Sequence, residues 1–255
     1  MRLPAAEEIK VLAARGVRTL DGDAASPLLL LCEHGGRAVP ARWADLGLGP
    51  ELLASHFGSD PGAAAFTERL SALLRAPAVI GAWSRLFLDL NRHAHDWQAT
   101  RPDCAGIPVP GNRGVCDADR AAREAVARAP FDAAVARLRP GRRILLSVHT
   151  CTPIFDGFAR PWPVGVLWLT RDPLAARLIA ELAAAGLGPV GDNEPYDWRR
   201  ADGYTLRAEA RAGVEALYVE VRNDLLVTSD GVEDCARRFA AALAATLAAT
   251  LEAAR

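Results

Sequence analysis

Two of the five histidines, His34 and His149, close similar apolar runs: Leu28-Leu29-Leu30-Leu31-Cys32-Glu33-His34 and Ile144-Leu145-Leu146-Ser147-Val148-His149. Neutral imidazoles at the ends of buried strands can meet on one metal ion or one substrate. A third apolar stretch, 85–90, delivers Asn91-Arg92, and a fourth, 216–221, contains Glu220 and ends at Arg222. Residues two apart on an extended chain share a face, so Glu220 and Arg222 are expected in the same crevice. Two histidines, a carboxylate and two arginines are the parts of a metal-assisted hydrolase acting on a carboxylated substrate. Zinc bound by imidazoles and a carboxylate keeps an open position and brings the pKa of water to roughly 7. A second carboxylate can carry the water proton to a leaving amine, and an arginine fork can hold a substrate carboxylate. Taken singly, each residue also has a structural reading: a histidine bonded to a loop carbonyl, Glu220 facing solvent on an edge strand, Arg92 paired with Asp89 or Asp96.

The elements that must position these residues follow from the apolar patterning. Strand-like runs occur at 28–33, 78–82, 85–90, 143–148, 164–169 and 216–221. Apolar residues at helical spacing fill 60–74, 117–138, 172–185 and the alanine-rich tail 231–254, with Asp172-Pro173 suited to a helix start. Alternating strands and helices predict a three-layer α/β/α sandwich. Runs 78–82 and 85–90 are too close for a helical crossover, so a hairpin or bend joins them and the central sheet is mixed. Continuous apolar runs read as strands buried on both faces, and in such sheets ligands bind beyond the strands' carboxyl ends. Segments 91–115 and 150–163 read as long loops of the kind that carry function. No repeat or low-complexity linker divides the 255 residues, so residues 1–255 are read as one domain.

The rest of the composition excludes classes of function. A net charge of −1 gives no reason to expect nucleic acid or an anionic membrane as partner. Lys10 is the only lysine, so an individual arginine carries little weight by itself. The cysteines, Cys32, Cys104, Cys116, Cys151 and Cys235, are odd in number and lack a close CxxC pair, which fits neither a disulfide framework nor a zinc ribbon. The first residues are not a signal peptide, and no stretch approaches the ~18 apolar residues of a membrane span. A cytoplasmic location is expected.

Seven pieces of sequence resemble the N-formylglutamate amidohydrolase family, which groups with zinc carboxypeptidase-like and aspartoacylase-like hydrolases. They begin with Cys32-Glu33-His34-Gly35-Gly36-Arg37-Ala38-Val39-Pro40, Ser59-Asp60-Pro61-Gly62-Ala63 and Ser84-Arg85-Leu86-Phe87-Leu88-Asp89-Leu90-Asn91-Arg92. Ser147-Val148-His149-Thr150-Cys151-Thr152-Pro153, Asp192-Asn193-Glu194-Pro195-Tyr196, Gly203-Tyr204-Thr205 and Glu220-Val221-Arg222-Asn223-Asp224 follow in family order.

The resemblance implies a phosphorylase/hydrolase-like fold with a mixed sheet of about eight strands. It implies one zinc ion on His34, His149 and Asp60, with Glu220 as general base and acid. Asn91 and Arg92 would hold the substrate α-carboxylate, and Arg222 would grip a second carboxylate or polarise the scissile carbonyl. The 193–196 loop, with Asn193 and Tyr196, would close over the substrate. The related carboxypeptidases carry a glutamate three residues after the first histidine, where this chain has Arg37. The carboxylate ligand therefore falls to Asp60, with Glu33 and His56 in reserve and a helix-capping role as the other reading of Asp60. The implied reaction is hydrolysis of N-formyl-L-glutamate to glutamate and formate, a step of histidine degradation. Hydrolysis of another N-acyl amino acid, a cysteine hydrolase using Cys32 or Cys151, and a non-catalytic binding protein are the alternatives.

Overall fold

In the computed structural model, residues 4–200, 206 and 214–253 are described; the Gly203-Tyr204-Thr205 stretch lies outside them. The sheet strands are β1 (Val17–Leu20), β2 (Leu28–Cys32), β3 (Ala78–Gly81), β6 (Ile144–Cys151), β9 (Val164–Leu167), β10 (Val190–Asp192) and β11 (Glu215–Arg222). Small hairpins are formed by β4 (Asp103–Cys104) with β5 (Ile107–Pro108), and by β7 (Ile154–Phe155) with β8 (Phe158–Ala159). The main sheet runs β1-β3-β2-β6-β11-β9-β10. β3, β2, β6 and β11 are mutually parallel, β1 pairs antiparallel to β3, and β9 pairs antiparallel to β11 but parallel to β10. The mixed sheet expected from the sequence is thus present, with seven strands among the described residues rather than about eight.

The apolar runs separate the two faces by alternation. On one face Leu146 and Val148 of β6 and Leu217, Val219 and Val221 of β11 pack against helices α3 (Ala63–Leu74), α6 (Pro173–Leu182) and α7 (Ser229–Ala253). Phe66, Leu178 and Phe239 are fully buried there, each contributing about 1.5–3 kcal/mol by leaving water. The opposite face packs Leu29, Leu31 and Leu145 against Phe131 and Val135 of α5 (Ala129–Leu138). Trp43, Leu86 and Phe87 extend that layer. Helix α4 (Asp117–Arg123) runs into α5 through one wider turn at Glu124–Arg128. Asp172 caps α6, as its sequence suggested, by accepting from the Ala175 amide at 2.8 Å.

Segment 85–90 is not a strand. Its carbonyls are taken by buried side chains instead of a strand neighbour. Arg123 Nη1 donates to the Phe87 carbonyl at 3.0 Å and Asn112 Nδ2 to that of Leu86 at 2.9 Å. Arg128 donates to the carbonyls of Leu90, Asp89 and Arg92 at 2.9, 3.0 and 2.8 Å. One guanidinium can satisfy several acceptors in a bend, so apolar composition here marks burial without extension. The edge strands β1 and β10 are short and partly polar, and periodicity did not reveal them. The predicted loop 150–163 holds the β7–β8 hairpin, and 91–115 holds β4–β5.

Candidate metal centre and active-site cavity

The site forms where β2, β6 and β11 end side by side, and the register decides who meets whom. His149 and Glu220 are direct partners across β6 and β11. Ser147 and Tyr218, two residues back on the same face, pair likewise. β2 ends at Cys32, so Glu33 and His34 lie in the turn beyond it and are released from strand alternation. Both then approach His149: the two imidazole rings lie 4.7 Å apart edge to face, and Glu33 Oε2 is 3.2 Å from His149 Nε2.

Asp60 arrives by a separate route. Its amide donates to the His34 carbonyl at 3.0 Å. Gly62 then turns the chain at φ 82°, a conformation that suits glycine, and α3 starts at Ala63 rather than at 60. The Asp60 side chain makes no capping bond to that helix. Its Oδ2 lies 2.8 Å from His149 Nδ1, 3.4 Å from His34 Nδ1 and 3.3 Å from the Thr150 amide that donates to it. Of the two readings of Asp60, the structure therefore favours the site over the helix cap.

The outer nitrogens of both histidines are tied down. His34 Nε2 is 2.7 Å from Asp89 Oδ1. His149 Nε2 is 2.9 Å from Ser147 Oγ, and that hydroxyl donates to Glu33 Oε2 at 2.7 Å. Carboxylates on the far side of ligating imidazoles fix the tautomer that leaves the inner nitrogen as a lone pair. The inner His34 Nδ1 is buried without a hydrogen-bond partner. His34, Asp60 and His149 each offer a ligand atom within 4.8 Å of the others, all three residues being buried. Inward-facing acceptors of this kind call for a cation at their centre, so these residues fit a divalent metal. Glu33, held in reserve by sequence, supports His149 from outside. His56 stays at the margin, its Nδ1 3.6 Å from Asp60 Oδ1.

Electrostatics follow the same geometry. Burial would raise the Asp60 and Asp89 carboxyls, yet His34 and the charged neighbours hold both well below the usual carboxylate range. Burial opposes protonation of His149, but its bonds to Asp60 and Glu33 push it up to about 10. Glu220 moves in the opposite sense from its fellow acids. Burial pushes its carboxyl up to about 8 against the pull of His149, and its Oε2 has no hydrogen-bond partner. A carboxyl poised near neutrality beside a cluster that could hold a metal is suited to accept and return a proton.

These groups open into a cavity of about 270 Å³ lined by Asp60, His149 and Glu220 together with Asn91, Arg92 and Tyr196. Asn91 Nδ2 donates to the Tyr218 hydroxyl at 3.2 Å, and the Tyr218 ring stacks on His149 at 4.3 Å. Arg85, to which the sequence reading gave no role, bridges Asp60 Oδ1 at 3.2 Å and Asp89 Oδ2 at 3.0 Å. Arg160, also unforeseen, donates to the Tyr196 hydroxyl at 2.8 Å and lies over the Tyr196 and Phe155 rings.

Two expected site residues are placed elsewhere. Arg222 is gripped by Asp224 at 3.0 and 2.9 Å and donates to the Arg160 carbonyl at 3.0 Å; it does not line the cavity. Arg222 is the last residue of β11, and Asp224 in the turn that follows captures its guanidinium. Asn193 is buried in a left-handed turn, φ 60°, where its Oδ1 accepts from the Trp168 and Trp198 amides at 3.1 and 3.2 Å. It shapes the loop that carries Tyr196. The cysteine alternative loses ground as well: Cys32 and Cys151 are buried and absent from the cavity wall. Burial pushes both thiols up, Cys151 to about 12, which removes the thiolate a nucleophile needs.

The chain superimposes on the crystal structure of a gene product of Agrobacterium tumefaciens with a TM-score of 0.86 and 29% sequence identity, over 92% of this chain and 96% of that one. The crystal structure of N-formylglutamate amidohydrolase from Ralstonia eutropha shares the fold at a TM-score of 0.66 and 19% identity, over 92% and 98% of the two chains. No curated protein sequence matches the chain. No helix among the described residues is long and apolar enough to cross a membrane. The sequence model of N-formylglutamate amidohydrolases matches residues 26–227. That span takes in every site residue described above, and the chain belongs to the N-formylglutamate amidohydrolase family.

Proposed function

We propose that this protein is a metal-dependent amidohydrolase that cleaves an N-acyl amino acid, with N-formyl-L-glutamate as substrate and glutamate and formate as products. The observation that carries the reading is the conjunction of a buried His34–Asp60–His149 set with a Glu220 carboxyl whose Oε2 is unpartnered, Asp60, His149 and Glu220 sharing one cavity. A divalent ion such as zinc, held by His34, Asp60 and His149, supplies Lewis-acid polarisation of an amide carbonyl and acidifies water when bound. Glu220 takes the proton of the attacking water and returns it to the departing amine, which leaves as the free amino acid. Asn91 and Arg92 in the cavity wall anchor the substrate α-carboxylate, so that the amide is presented to Glu220. Tyr196, held by Arg160, completes the cavity wall and restricts water.

The test is formate release from N-formyl-L-glutamate by zinc-loaded protein, beside chelated protein, the Glu220→Gln variant and a panel of other N-acyl amino acids. Turnover that vanishes on chelation, returns with zinc and is lost in Glu220→Gln is expected. Activity that survives chelation removes the metal from the reaction. Turnover of another N-acyl amino acid in preference to the formyl compound transfers the assignment to that substrate.

A further inference from the structure

Three arginines line the cavity, and they differ in what their charge is used for. Arg85 is committed to Asp60 and Asp89. Arg92 donates to the Gln98 side chain at 3.3 Å and to the Asn91 carbonyl at 2.8 Å. Arg101 is half-buried in the same wall. Its Nε is a buried donor without a partner, and no carboxylate among the described residues forms an ion pair with it.

The backbone that carries Arg101 is fixed. Asp96 Oδ1 accepts from the Gln98 amide at 2.8 Å and starts a short turn over Trp97–Thr100. The Ala99 carbonyl in that turn accepts from the Asp89 amide at 2.9 Å. The carbonyl of Arg101 itself accepts from Asn112 Nδ2 at 2.9 Å, and the same amide group holds Leu86. The turn is thereby fastened to the segment bearing Asp89, Asn91 and Arg92. A guanidinium carried on a fixed backbone into a cavity wall, with its Nε withdrawn from water and without an anion, gains when a ligand completes it. Its planar fork matches a carboxylate.

Resting on the proposed function, we infer that Arg101 is the specificity residue for a second carboxylate, the side-chain acid of an N-acyl acidic amino acid, while Asn91 and Arg92 take the α-carboxylate. This is one of the roles that the family resemblance implies for Arg222, whose guanidinium is already neutralised by Asp224. Specificity then comes from the pairing of one dedicated cation with one carboxylate. The neutral amide isostere of the same size leaves the Arg101 charge unpaired and is discriminated against.

The test compares kcat/KM for N-formyl-L-glutamate and N-formyl-L-glutamine in zinc-loaded wild type, Arg101→Met and Arg101→Lys. Wild type is expected to favour the acid by roughly 10- to 100-fold, the range of a charge-assisted hydrogen bond. Arg101→Met collapses that ratio toward unity through a raised KM for the acid, and Arg101→Lys restores part of it. A wild type that treats both substrates alike, or an Arg101→Met protein that keeps the wild-type ratio, overturns the assignment. Calorimetric titration with glutarate and with its half-amide reads the same subsite without turnover. Arg101-dependent preference for glutarate in a protein that hydrolyses no N-acyl amino acid keeps the Arg101 assignment and defeats the proposed reaction. Efficient turnover with no such preference does the reverse.

Discussion

Asp89 and His34 are joined at 2.7 Å, Oδ1 to Nε2, and through that contact a residue 55 positions away sets which nitrogen of His34 faces Asp60. The same Oδ1 accepts from the Asn91 amide at 2.9 Å and Oδ2 accepts from Arg85 at 3.0 Å. One carboxylate thus aligns the proposed metal-ligand histidine, the proposed substrate clamp and the arginine that braces Asp60.

Replacing Asp89 by Asn keeps the size but offers an amide in place of the anionic acceptor. Zinc affinity is expected to fall by about 10–100-fold, the usual cost of removing a carboxylate behind a ligating histidine. Competition with a chromophoric chelator measures it, with circular dichroism confirming the fold. An affinity within twofold of wild type would mean that Asp89 does not orient His34 for a metal.

Glu220→Gln separates proton transfer from metal binding. The substitution removes the titrating group and leaves His34, Asp60 and His149 untouched. Turnover is expected to fall by about 10²–10⁴-fold, the typical contribution of a positioned acid–base group, while zinc stoichiometry stays at one per chain. A rate loss accompanied by equal metal loss would show that Glu220 helps hold the ion instead.

Arg128 holds three carbonyls of the 89–92 bend with one buried guanidinium, paired with Glu124 at 2.6 Å. Arg128→Met strands those acceptors and Glu124 together, at a cost of about 3–5 kcal/mol. Arg128→Lys retains the charge but reaches fewer of them. Urea unfolding should place lysine between wild type and methionine, and KM should rise in the lysine variant because Asn91 and Arg92 sit on the loosened bend. A stable lysine variant with wild-type KM would reduce Arg128 to a packing residue.

Much of the fold and part of the site were legible because they rest on alternation and on strand ends. Apolar runs located β2, β6 and β11; the residues closing the first two named His34 and His149, and the carboxylate within the third named Glu220. Asp60 was ambiguous because an acid before a helix has two uses, and only the left-handed Gly62, which starts α3 without it, separates them. Segment 85–90 misled because its apolar side chains are buried in the core while its carbonyls are satisfied by arginines from α4 and the turn after it, far along the chain, instead of by a neighbouring strand. Arg101 was invisible for a compositional reason. In a chain with Lys10 as its only lysine, one arginine in a polar loop carries no signal until its lack of an anion is seen. Arg222 keeps its place at the end of β11, but Asp224, two residues on, takes its guanidinium, which spacing cannot show.

Away from the site, Asp132 on α5 is a half-buried acid whose carboxyl burial pushes up to about 6 from an ordinary value of 3.8, with Arg128 pulling the other way. Below about pH 4 this carboxyl is protonated in the folded and unfolded chains alike and costs nothing. Between pH 4 and 6 the unfolded chain ionises first, so stability falls as pH rises, and above pH 6 the full penalty is present. Asp132→Asn removes the ionisation without changing the shape. The variant should therefore gain about 1 kcal/mol at pH 8, after allowance for partial exposure, seen as a Tm higher by about 2–4 °C. The gain should shrink to a small fraction of that at pH 4. An equal gain at both pH values would mean that the asparagine acts through packing or helix propensity, because only a titrating penalty disappears in acid.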